Sequence, residues 1–208
     1  MADNGYQVPQ EFYSQTRWDN WLKQAKESGF EIKENEDEGS GKESIVFVNM
    51  VDDVILACLK VNATLENNLI SREDALHVIG DIKELVLSEV EPISEDIDMM
   101  IYSVQTSLMA AIASFECYMT GEFDNEASIK ELVLAAAEAE SEDELEIALD
   151  CIAELGANVL DGKELPENIG EGLSYGLVVE WVDGIESICA AMVGSDSYKD
   201  MVDDDGSD

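Results

Sequence analysis

The stretch SEDIDMMIYSVQTSLMAAIASFECYMTG, residues 94–121, decides the fold class. Its apolar residues Ile97, Ile101, Val104, Leu108, Ala111, Phe115 and Tyr118 alternate steps of four and three. That spacing lines one face of an α-helix, whereas a half-buried strand would alternate every second residue. Ser94 suits an N-cap, and Gly121 ends the run. Ala110, Ala113 and Ser114 flank the seam, and small side chains there let a neighbouring helix approach closely.

Upstream, Ser71-Arg-Glu-Asp74 has the S-x-x-D form of a helix opening, followed by Ala75, Ile79, Ile82, Val86 and Val90 on one face and closed by Pro92. Before it, Ile45, Val46, Phe47 and Val48 are β-prone, so residues 44–49 read as strand or helix. The longer series Val48, Val51, Ile55, Cys58, Asn62 and Leu65 has the helical period and favours helix for the run as a whole. A first helix reaches about Ser28 and stops at Gly29, with Pro9 suited to its first turn. Downstream, helices are expected at about 125–139 and 142–161, with Ser141 as another serine-plus-acid opening and Leu145, Ala148, Ile152, Leu155 and Val159 facing inward. A last helix is expected from about Gly172 to Val193, burying Val178, Trp181, Ile185, Ile188 and Met192.

The predicted fold is all-α, an antiparallel helical bundle of about six helices with an acidic surface. Its expected organisation is an aromatic N-terminal helix over 1–30, an acidic loop over 31–43, the bundle over 44–193 and an acidic tail over 194–208. The seams last too few heptads to demand a long coiled coil.

Charge is the outstanding property of the composition. Forty-eight acids against eleven bases give a net charge of −37 over 208 residues. A nucleic-acid or anionic-membrane binder needs a cationic footprint, so direct binding to either is not expected. Disorder is not implied, because 46% of the residues are hydrophobic and periodically placed. Residues 1–91 hold 19 acids and 8 bases, net −11, and residues 92–208 hold 29 acids and 3 bases, net −26. In the second part Glu142, Glu146, Asp150 and Glu154 are spaced by four, which on one helix makes a ridge of carboxylates about 6 Å apart. Three readings of that ridge stand side by side: a solvated face, adaptation to a salty cytosol that screens the repulsion, and a docking face for a basic partner.

Phe12, Tyr13, Trp18 and Trp21, with Phe30, lie within a nearly neutral segment. They either cap the bundle or dock a partner or a second copy of the chain. The opening MADNGYQVPQ lacks the basic start and apolar run of a secretory signal, and no apolar run approaches membrane-spanning length. Cys58, Cys117, Cys151 and Cys189 are isolated singles within helical patterns, read as free thiols in a reducing compartment. A cytoplasmic location is expected.

Chemistry-bearing motifs are not apparent. His77 follows Glu73 by four positions and Asp74 by three, but a di-iron bundle needs two Glu-x-x-His units and further glutamates. The acidic clusters lack the ligand alternation and glycine placement of an EF-hand, and Gly170, Gly172 and Gly176 do not form a dinucleotide fingerprint. Catalytic residues, metal ligands and cofactors are therefore not assigned.

Phe12-Tyr13 followed by Arg17-Trp18-Asp19-Asn20-Trp21-Leu22, the helix start Ile70-Ser71-Arg72-Glu73-Asp74-Ala75-Leu76, and Val104-Gln105-Thr106-Ser107-Leu108 resemble an archaeal family of acidic proteins known as a domain of unknown function, number 2150. The likeness runs from about residue 10 to 193. It implies a source among methanogenic or halophilic archaea, which adds weight to salt adaptation, and it supplies no activity or catalytic residue.

The functional expectation is a non-enzymatic, acidic helical adaptor or regulatory protein that binds a basic protein partner, with homodimer formation open. Its candidate partner-binding residues are Phe12, Tyr13, Trp18 and Trp21 at the N-terminus and Glu142, Glu146, Asp150 and Glu154 on the ridge. A nucleic-acid mimic occupying a DNA- or RNA-binding protein is the alternative, and a carboxylate-dependent metal-binding enzyme stands third.

Overall fold

Four serines open helices by accepting an amide proton that the first turn leaves unpaired. Ser14 accepts from Arg17 N, Ser71 from Asp74 N, Ser94 from Ile97 N and Ser128 from Glu131 N. The computed structural model describes residues 11–32 and 43–203, with side chains as far as residue 193. Its helices are α1 Gln15–Glu27, α2 Ile45–Glu66, α3 Arg72–Val86, α4 Glu95–Thr120, α5 Ile129–Ser141, α6 Leu145–Leu160 and α7 Leu177–Asp203. The fold is all-α, with seven helices rather than about six and no strand among the described residues.

The ambiguous start of α2 is helical from Ile45. Helical turning carries Val46, Phe47, Met50, Val51 and Val54 into the core, and the Phe30 ring meets Phe47 edge-on at 5.3 Å. α4 follows its sequence pattern closely. Ile97, Ile101, Val104, Leu108, Ala111 and Phe115 are buried, and Gly121 closes the helix at φ 70°, a left-handed value that glycine adopts without strain. α4 packs against α2, α3, α6 and α7, so it forms the centre of the molecule.

Several boundaries differ from expectation. Ser141 does not open a helix but ends α5, its hydroxyl donating to Glu138 O at 2.7 Å. α6 begins only at Leu145, after Asp143 at φ 63° reverses the chain. α7 begins at Leu177 and continues to Asp203, through the first part of the segment expected to be a tail. Pro9, most of the acidic loop and residues 204–208 lie outside the described residues.

The close approaches anticipated on α4 occur at two glycines. Gly156 of α6 faces Ser114, and Gly184 of α7 faces the Ser107 carbonyl. One turn before Gly184, Ser107 Oγ donates to Glu180 O at 3.1 Å and fixes the α4–α7 crossing.

Candidate interaction surface

The N-terminal aromatics are committed to the chain's own core. Phe12, Tyr13 and Trp18 are buried, Trp18 to 1% exposure, and Trp21 is half-buried. Phe12, Tyr13 and Trp18 therefore pack into the core, while Trp21 keeps part of its surface in solvent. A polar lock holds them there. Asp53 of α2 accepts from Arg17 Nε and from Trp21 Nε1, each at 2.7 Å, and a second Arg17 nitrogen reaches its other oxygen. The Arg17 guanidinium also lies 5.1 Å from the centre of the Tyr13 ring, a cation–π distance. Burial, with the nearby Asp53 carboxylate, raises the Tyr13 phenol well above its ordinary range.

The four acidic candidates do not make one ridge. Glu142 is the C-cap residue of α5, separated from α6 by the reversal at Asp143, so the helical series contains Glu146, Asp150 and Glu154 alone. Glu146 and Asp150 are exposed. Glu154 is half-buried and accepts from Asp124 N at 3.0 Å, tying the α4–α5 connection to α6. Lys83–Glu116 at 2.7 Å joins α3 to α4, and Arg17–Asp53 joins α1 to α2. Among the described residues, no cation comes within ion-pair distance of Glu142, Glu146 or Asp150.

Between the end of α3, the middle of α4 and the starts of α6 and α7 lies an apolar cleft of about 380 Å³. Tyr102, Met109, Leu145, Leu149, Leu177 and Trp181 form most of its walls, and Glu146 stands in its lining. Tyr102 is 60% exposed and Leu145 39% exposed, while Trp181 is buried with no hydrogen-bond partner for its indole N–H. The sequence pattern did not single out this site: it placed Leu145 and Trp181 on inward seams and left Tyr102 unassigned. The available signal was that α4 carries Met99, Tyr102 and Met109 away from its main seam.

His77 is exposed and has Asp81, rather than Glu73 or Asp74, 3.8 Å from its Nε2. Among the described residues, no group of three or more His, Cys, Asp or Glu is arranged to hold a metal ion, and no helix is long and apolar enough to cross a membrane. The four cysteines are free, and Cys58, the most deeply buried, has its thiol pushed up to about 12 by burial.

A family model described as "Uncharacterized protein conserved in archaea (DUF2150)" matches residues 11–201. The chain belongs to this family. The DUF2150 match takes in all seven helices except the last residues of α7, so the aromatic α1 and the acidic α5–α6 region are both parts of the family domain. No curated protein and no solved structure matches the chain.

Proposed function

We propose that this DUF2150 protein is a non-enzymatic adaptor or regulatory module of the archaeal cytoplasm, an antiparallel helical bundle whose acidic surface binds a basic protein partner. The carrying observation is the exposure of Glu142, Glu146 and Asp150 without a cation near them, in the part of the chain that holds 29 acids and 3 bases. Unneutralised like charges on neighbouring turns destabilise a helix by a few tenths of a kcal/mol per pair, a cost that a cationic surface would offset on docking. Long-range attraction would also raise the rate of encounter and would weaken as salt shortens the Debye length.

The test is affinity capture from native lysate at graded KCl with the wild-type chain and Glu146→Lys/Asp150→Lys. The reading requires one stoichiometric basic companion, released by rising salt and retained poorly by the doubly reversed variant. Recovery of the bait alone at every salt concentration overturns it. If stability climbs with KCl and no companion appears, the acidity serves salt adaptation. If the companion is a nucleic-acid-binding protein displaced by duplex DNA, the chain acts as a mimic.

A further inference from the structure

We infer that the cleft between α4, α6 and α7 is the seat of an amphipathic, cationic helical segment of the partner, which inserts apolar side chains between Tyr102, Leu145 and Trp181. This rests on the proposed binding of a basic protein and locates it. The argument begins with the walls. Tyr102, Met109, Leu145, Leu149 and Leu177 supply most of the lining, with Gln105 and Thr106 among them, and Tyr102 and Leu145 remain substantially exposed. Apolar surface of this kind gains free energy when a partner covers it, in proportion to the area removed from water.

Charge selects the occupant. No lysine, arginine or histidine lines the cleft, Glu146 does, and the exposed Glu142, Asp143 and Glu144 directly precede the lining residue Leu145 in the chain. A second copy of this chain would bring −37 of its own against those acids. A mostly apolar lining with the Glu146 carboxylate in it and no cation matches a helix that carries leucine-like residues at i, i+3, i+4 and i+7 and lysine or arginine beside them. The hydrophobic contacts would set affinity and the carboxylates orientation, charge sign and salt dependence.

The full chain can be titrated with three short synthetic peptides: a leucine–lysine amphipathic helix, the same composition scrambled, and a leucine–glutamate helix of the same pattern. Calorimetry gives affinity, and the emission of Trp181, taken as the difference between wild type and Trp181→Phe, reports occupancy of the cleft. The patterned cationic peptide is expected to bind at least about tenfold more tightly than the scrambled one, and the anionic helix not at all. Tyr102→Ser and Leu145→Gln should each weaken it by about tenfold, since both side chains are partly exposed and circular dichroism can verify that the fold is retained. Leu134→Gln, at an exposed position of α5 outside the cleft lining, should leave binding unchanged.

Equal binding of patterned and scrambled cationic peptides, indifferent to Tyr102→Ser and Leu145→Gln, overturns the cleft while leaving the acidic docking reading intact. Failure of every cationic peptide to bind at low salt overturns both. Self-association of the chain that Tyr102→Ser abolishes would put a second copy in the cleft and also overturn the inference.

Discussion

Gly156 of α6 leaves no room for a side chain beside Ser114 of α4: a Cβ added there would lie 2.0 Å from Ser114 Oγ and 2.4 Å from Ser114 Cβ. It would also come 2.9 Å from Ile185 Cδ1, so α4, α6 and α7 meet at this point. Helix propensity alone favours alanine over glycine by about 1 kcal/mol, but a buried overlap of this kind costs about 1–3 kcal/mol or more. Gly156→Ala is therefore expected to lower the thermal midpoint, by roughly 2–4 °C for each kcal/mol lost. Gly184→Ala should be worse, because its Cβ would lie 2.3 Å from the Ser107 carbonyl oxygen, a backbone atom held within α4. Gly80→Ala supplies the internal contrast: nothing lies within 4 Å of the added atom, and the substitution should stabilise by up to about 1 kcal/mol. Calorimetric unfolding of the three variants checks the ordering, and a Gly156→Ala protein as stable as Gly80→Ala would refute the close crossing.

Glu140 of α5 performs at the start of α7 the task that serines perform elsewhere. Its Oε1 accepts from Leu177 N at 2.6 Å and Val178 N at 3.3 Å, placing a negative charge at the positive end of the helix. Glu140→Ala should cost about 1–2 kcal/mol, while Glu140→Gln keeps an acceptor and should cost less. Hydrogen exchange provides the local reading: the Leu177 and Val178 amides should lose protection in Glu140→Ala. Unchanged protection at those two amides would mean that the cap contributes nothing.

Asp52 and Asp53 are neighbours in sequence with opposite roles. Asp53 holds Arg17 and Trp21, so Asp53→Ala should release α1 from α2 at a cost of roughly 1–3 kcal/mol. Asp52 is half-buried, and burial raises its carboxyl above the ordinary range. A carboxyl raised in the folded state binds its proton more readily there than in the unfolded chain. Its favourable contribution is present below the unfolded pKa of about 4 and is lost as pH rises through the folded value, leaving a destabilising charge at neutrality. Asp52→Asn should therefore raise the urea midpoint at pH near 7, with a smaller gain near pH 4. A loss of stability at neutral pH would contradict this assignment.

The helices were legible in sequence where each residue's partner lies in its own helix, and less so where the partner is remote. The α4 seam and the Ser71 and Ser94 caps depend on positions three or four apart, and the structure retains them. The α5–α6 boundary was misplaced because SEDE reads as a helix opening, whereas Asp143 adopts a left-handed conformation and Glu144 N returns to Ala139 O at 2.9 Å, ending α5 instead. Aromatic residues near the N-terminus are equally compatible with a cap and a docking face until the Asp53 lock, 36 residues beyond Arg17, is known. The cleft joins Tyr102, Leu145 and Trp181 from three helices, and no local period brings those residues together.

Tyr118 makes the alkaline limit of the fold measurable. Its hydroxyl donates to Glu66 Oε1 at 3.0 Å, joining α4 to the end of α2, and Asn62 Nδ2 donates to the same oxygen. Burial first, then the hydrogen bond and the charge of Glu66, push the phenol up to about 12 from an ordinary value of 10.0. Between those values the folded chain keeps a proton that the unfolded chain releases, so the contribution is complete below about pH 10 and disappears as pH rises towards 12. Tyr118→Phe removes this linkage. The variant should be about 1 kcal/mol less stable at neutral pH, and the gap from wild type should narrow as pH climbs through that window. Phenolate absorbance and urea midpoints taken together provide the check: Tyr118 should ionise above the ordinary tyrosine value of 10.0, and a gap that stays constant across the window would sever the proposed link between this phenol and stability.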